Sequence, residues 1–178
     1  MLDKDETVLV VVDVQGKLAR IVHEGDGMIA AAGRLVRGAR VLGLPIVWTE
    51  QYPEGLGPTV PELAKLLDGE PIAKRTFSCC GEPRFVHAME QIGRERVLLC
   101  GIETHICVYQ TARDLRDAGC DVHVVADAVS SRTAGDRQIG LRKMERAGAH
   151  VTSVETVLFE LQRIGEGPAF KALQKIVK

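Results

Sequence analysis

Residues 7–14 read Thr-Val-Leu-Val-Val-Val-Asp-Val, an apolar run without the polar alternation of a half-exposed strand. A strand that is apolar on both faces needs cover on both, which a parallel sheet between helices supplies. Further short runs follow at Pro45–Thr49, Pro71–Lys74, Arg96–Gly101, Cys120–Ala126 and His150–Ser153. Between them lie segments of helical period. Met28, Ala32, Leu35, Val36, Ala39 and Leu42 share one helix face, as do Phe85, Val86, Met89 and Ile92. Helices are also expected over 61–67, 104–118, 136–147 and 168–177. This alternation predicts an α/β fold with a six-stranded parallel sheet. At 178 residues a single domain spanning 1–178 is the default.

Composition narrows the partners. Lys and Arg total 23 against 24 Asp and Glu, a net charge of −1. Nucleic acid and anionic membranes both select for surplus positive charge, so neither is expected as a partner. Aromatic residues are only 4% of the chain, too few for a base-stacking platform. The longest apolar runs, Val8–Val12 and Val97–Cys100, are too short to cross a bilayer. The acidic start, Met-Leu-Asp-Lys-Asp-Glu, does not resemble a signal peptide. Cysteines stand at 79, 80, 100, 107 and 120, an odd number without a CxxC pair, so neither a disulfide framework nor a zinc ribbon is indicated. A small protein of the reducing cytoplasm, acting on a small molecule, is the expectation.

In parallel α/β sheets ligands bind beyond the carboxyl ends of the strands. No GxGxxG or GxxxxGK[ST] follows any strand, so a nucleotide cofactor has no support. Three other residues draw attention there. Asp13 ends the first strand, where a carboxylate either caps a turn or belongs to a site. Lys74 ends the third; alone it reads as an ordinary solvated lysine. Cys107 follows the fourth, three residues after Thr104, a plausible helix N-cap. A thiol there meets the positive end of the helix dipole, although a lone cysteine more often serves as a small core residue. The loop Glu50–Pro58 is long enough to be functional. If the three residues meet, they make a cysteine-nucleophile site. A free thiol and a free carboxyl differ by roughly 4.6 pK units, so direct proton transfer costs about 6 kcal/mol. Burial, the cation and the dipole have to close that gap, the last two by lowering the thiol.

These residues resemble the isochorismatase-like cysteine hydrolases, a family that includes nicotinamidases and N-carbamoylsarcosine amidohydrolase. The resemblance rests on Val-Val-Asp13-Val-Gln15, on Lys74, on Gly101-Ile102-Glu103-Thr104-His105-Ile106-Cys107-Val108, and on Asp127-Ala-Val-Ser130-Ser131-Arg132. It spans nearly the whole chain and implies a three-layer, Rossmann-like fold. It also implies a catalytic triad of Asp13, Lys74 and Cys107, and a cis peptide at Ile102–Glu103 that aims N–H groups around Glu103 and Cys107 at an oxyanion. Where nicotinamidases carry an Asp-x-His metal motif, this chain has Trp48-Thr49-Glu50-Gln51-Tyr52, so no metal and no cofactor is expected. His23, His87, His123 and His150 are scattered, without ligand spacing.

The segment 49–57 most resembles the isochorismatase domain-containing subgroup. The implied activity is hydrolysis of an amide or carbamoyl C–N bond through a thioester, in a homo-oligomer, with Gln15, Trp48, Tyr52 and Phe77 as candidate pocket walls. His105 is badly placed to activate Cys107, because helix positions two apart face different ways. Asp127 and Arg132 are expected to cap and pair rather than catalyse. The alternatives are an isochorismatase-type or other hydrolase on a non-amide substrate, a phosphohydrolase with Asp13 as nucleophile, and an oligomeric scaffold. Gln15 stands where the phosphohydrolase would want a second Asp.

Overall fold

The computed structural model describes residues 1–178 and contains one six-stranded parallel sheet. Its strands are β1 (Thr7–Val12), β2 (Ile46–Gln51), β3 (Ile72–Lys74), β4 (Arg96–Ile102), β5 (Asp121–Ser130) and β6 (His150–Thr152), in the order β3-β2-β1-β4-β5-β6. The helices are α1 (Leu18–Ile21), α2 (Gly25–Val41), α3 (Pro53–Leu56), α4 (Pro61–Ala64), α5 (Pro83–Ile92), α6 (Tyr109–Asp117), α7 (Ala134–Arg146), α8 (Val154–Gln162) and α9 (Gly167–Val177). A 3-10 turn occupies Cys79–Gly81 and a π-helical turn Thr104–Val108.

The apolar run of β1 explains the layers. Leu9 and Val11 enter one core with residues of α2, α8 and α9. Val8, Val10 and Val12 enter the other, with Phe85, Ala112, Leu115 and Met144 of α5, α6 and α7. Every residue of β1 is therefore buried, and the α/β expectation holds. The chain reverses its order of strand addition between β1 and β4, so their carboxyl ends flank the switch point where such sheets bind ligands.

The short helix α1 is not among the expected elements, and three further regions differ from the sequence expectation. β5 runs on through Asp127 to Ser130, because Asp127 is not a strand end: its Oδ1 accepts the Val154 N–H at 2.9 Å, at the start of α8. Helix α8 itself was hidden among β-branched residues, although Ser153 caps it by accepting the Thr156 N–H. Within 50–58, β2 extends to Gln51 and α3 follows, so the expected loop is largely ordered structure.

Candidate active site

Asp13 leaves β1 with a positive φ of 52°, uncommon outside glycine, and this turn ends the strand. Its side chain is 4% exposed, and both carboxylate oxygens are engaged. Oδ1 accepts the Thr49 hydroxyl at 2.7 Å, and Oδ2 accepts the Lys74 ammonium at 2.6 Å. Lys74 is not a solvated lysine. Its Nζ also donates to Gln51 Oε1 at 2.8 Å, Phe77 O at 3.0 Å and Thr76 O at 3.2 Å. An ammonium buried this completely is tolerable because its donors are met and a carboxylate faces it.

Cys107 approaches from the other side of the switch point. The Ile102–Glu103 peptide is cis, and the π-turn that follows it holds Cys107 just ahead of α6. Thr104 is not the N-cap expected from sequence. Glu103 holds that position without a side-chain cap bond, and Thr104 Oγ1 is buried with no partner. Gly101, at φ 120°, has no room for a Cβ, which would collide with the Val12 backbone. Glycine thus lets the β1 and β4 backbones close up at this point. The Glu103 carboxylate points away and accepts from the N–H and Nε of Arg132 at 3.2 and 3.0 Å. The Glu103 N–H is engaged by no carbonyl or side chain of the protein.

The thiol is also not lowered as the sequence reading expected. Burial pushes it up to about 12, with the Asp13 charge and hydrogen bond acting in the same direction and Lys74 opposing. Desolvation outweighs the cation here, so the resting Cys107 side chain is the neutral thiol. Cys79 lies under the same cluster, 3.7 Å from Thr49 Oγ1, and burial raises it to about 11.

The candidate pocket residues separate. Gln15 staples the segment after β2, donating to Gly57 O at 2.7 Å and Gln51 O at 3.2 Å while accepting the Gln51 N–H at 2.6 Å. Trp48 packs into the core on the opposite sheet face from Cys107, its indole donating to Asp68 O at 3.2 Å, and so does not line the site. Alternation along β2 decides this: Val47, one residue earlier, is the one on the Cys107 side. Tyr52 and Phe77 are exposed; the Tyr52 ring lies 3.9 Å beneath the Arg75 guanidinium. Glu50 was missed: buried, it accepts the Thr59 N–H and hydroxyl at 2.6 and 2.8 Å and fixes the far end of that segment. A buried acid on an apolar strand was its only signal. His105 turns to Ser131 Oγ, 3.0 Å away.

A parallel sheet with helices on both faces is the architecture of the isochorismatase-like hydrolases. The chain belongs to the isochorismatase family, with residues 7–156 matching the isochorismatase domain. It is 41% identical over 178 residues to mouse isochorismatase domain-containing protein 2A, covering 98% of this chain and 84% of that protein. It is also 41% identical to the secreted isochorismatase effector Isc1 of Phytophthora sojae, over 97% of this chain and 84% of the effector. Among solved structures, the MAR1 ribonuclease of Caenorhabditis elegans superposes with a TM-score of 0.92 at 40% identity, over 99% of this chain and 91% of that one. YcaC from Pseudomonas aeruginosa, with hexane-2,5-diol and covalent acrylamide, gives 0.92 at 27% identity over 98% and 90%. The Escherichia coli YcaC gene product, described as an octameric hydrolase of unknown specificity, gives 0.92 at 28% over 98% and 88%. No helix of the chain is long and apolar enough to cross a membrane.

Proposed function

We propose that the chain, as one domain over residues 1–178, is a cysteine hydrolase that cleaves an amide or carbamoyl C–N bond of a small molecule. The observation that carries this reading is the buried Lys74–Asp13 pair, 2.6 Å apart, acting on the Cys107 thiol. Sγ attacks the carbonyl carbon as its proton passes to Asp13, so that nucleophile and base are created together. The raised thiol makes this order necessary, since little thiolate exists beforehand. The carbonyl oxygen takes up the negative charge against the N–H groups around Glu103 and Cys107. Collapse expels the amine, which leaves with the proton held by Asp13, and forms a thioester on Cys107. Water, deprotonated by Asp13, then cleaves the thioester and restores the thiol. Lys74 holds Asp13 in place and balances charge throughout. The covalent acrylamide of the P. aeruginosa structure supports a reactive nucleophile in this fold.

The same reading includes a cytoplasmic homo-oligomer without metal at this site. The octameric E. coli structure supports the assembly, and the exposed Tyr52 and Phe77 are then residues by which neighbouring subunits narrow the entrance. Five free cysteines are compatible with the location. The test is intact-mass screening of small amides and carbamoyl compounds, with any adduct mapped by peptide mass. One adduct on Cys107, lost together with turnover in Cys107→Ala, is the expected result. Full activity in that variant overturns the mechanism.

The name of the C. elegans structure favours a second reading, phosphodiester cleavage in RNA. The balance of 23 basic against 24 acidic residues weighs against it. Cleavage of RNA that persists after repurification and disappears in Asp13→Asn decides for this second reading.

A further inference from the structure

At the opposite edge of the sheet, three side chains far apart in sequence converge. The parallel register of β5 and β6 sets His123 directly beside His150, and Asp121 lies two residues before His123, on the same strand face. Asp121 reaches both rings: Oδ2 is 3.2 Å from His123 Nε2, and Oδ1 is 3.2 Å from His150 Nε2. The ring centroids are 4.7 Å apart, and the three donor atoms lie within 4.8 Å of one another. We propose that Asp121, His123 and His150 form a divalent transition-metal site of the zinc class, separate from Cys107.

A tetrahedral ion with donors about 2.0–2.2 Å away holds them roughly 3.3–3.5 Å apart, close to the spacing already present between the carboxylate and each imidazole. Two imidazoles and one carboxylate suit zinc or its neighbours better than calcium or magnesium. Glu160 of α8 adds negative charge near the His123 ring. Two cations oppose: Arg96, 3.9 Å from Asp121 Oδ2 but committed to Glu6 at 2.6 Å, and Arg116, whose charge also acts on Asp121 while its Nη1 donates to Cys120 O. His150 is 62% exposed, so a fourth position faces solvent and is open to water. The ion clamps β6, an edge strand of three residues that pairs only with β5.

The experiment is a Zn²⁺ titration of the chelator-treated full chain against a chromogenic chelator, with Co²⁺ as spectroscopic probe and thermal melting in parallel. The parent chain and Cys107→Ala bind one equivalent and melt at a higher temperature with zinc. Bound Co²⁺ shows nitrogen and oxygen donors without thiolate charge transfer. His150→Gln, at an exposed position, melts as the parent does without metal, and loses both the equivalent and the zinc-dependent shift. Absence of binding by the parent chain overturns the site. So do a thiolate spectrum and unchanged binding in His150→Gln.

Discussion

Lys74 and Asp13 are a pair whose members cannot be removed singly without cost. Lys74→Ala leaves a buried carboxylate facing only the neutral Thr49 hydroxyl and Cys107 thiol, and we expect a loss of about 3–5 kcal/mol in denaturant unfolding. The double change Asp13→Asn with Lys74→Met removes both charges and recovers much of that loss, because no unpaired charge remains. The thiol gives an independent readout. With Cys107 at about 12, its alkylation by iodoacetamide keeps rising above pH 9 and shows no plateau near neutrality. Asp13 raises the thiol through both its charge and its hydrogen bond. Asp13→Asn therefore moves the alkylation profile to lower pH, while turnover is lost because the proton acceptor is gone. Peptide-mapped rates against pH measure the first effect and steady-state kinetics the second. Faster alkylation together with retained turnover excludes Asp13 as the base.

The π-turn holding Cys107 depends on α7. A Cβ on Gly140 would stand 2.7 Å from the Thr104 carbonyl carbon and oxygen and 2.8 Å from the His105 nitrogen, backbone atoms that cannot rotate aside. Gly140→Ala is expected to cost about 1–3 kcal/mol and to lower kcat, because relief comes by moving the turn. Gly27→Ala, a helical site with nothing near its Cβ, is the control and should leave kcat unchanged. If both variants keep the parental kcat, the close packing of α7 does not set the position of the thiol. Such tight backbone approaches mark the boundary of what sequence reading can reach. That Asp13, Lys74 and Cys107 lie together was legible because each stands at or beyond a strand end, and strand ends converge in a parallel sheet. Trp48 was misjudged because a residue's face depends on its register, which proximity in sequence does not carry. His123 and His150 looked scattered because only the pairing of β5 with β6 makes them neighbours. Thr104 looked like a cap because the spacing of an α-helix was assumed where the chain inserts a π-turn.

Across the whole molecule the five thiols share one property. Cys100 and Cys107 are raised to about 12, Cys80 to about 12 and Cys79 to about 11, with desolvation the largest cause in each, and Cys120 is raised for the same reason. In the unfolded chain these groups ionise near the ordinary value of 9.0, so above that pH the unfolded state has released protons that the folded state still holds. Stability then falls as pH rises, by up to about 1.4 kcal/mol per pH unit for each fully buried thiol. The full contribution is present below pH 9 and disappears as pH climbs toward the folded values. Other alkaline titrations add to the slope, so the informative quantity is a difference between variants. Cys100 sits in the sheet core away from the charged cluster, and its thiol makes no hydrogen bond to a side chain. Cys100→Ala lowers stability at every pH through the cavity it leaves, but its unfolding free energy should fall less steeply between about pH 8 and about pH 10.5. Denaturant curves at half-unit intervals measure both slopes. Parallel slopes in the two proteins show that this thiol ionises as readily in the fold as in the open chain.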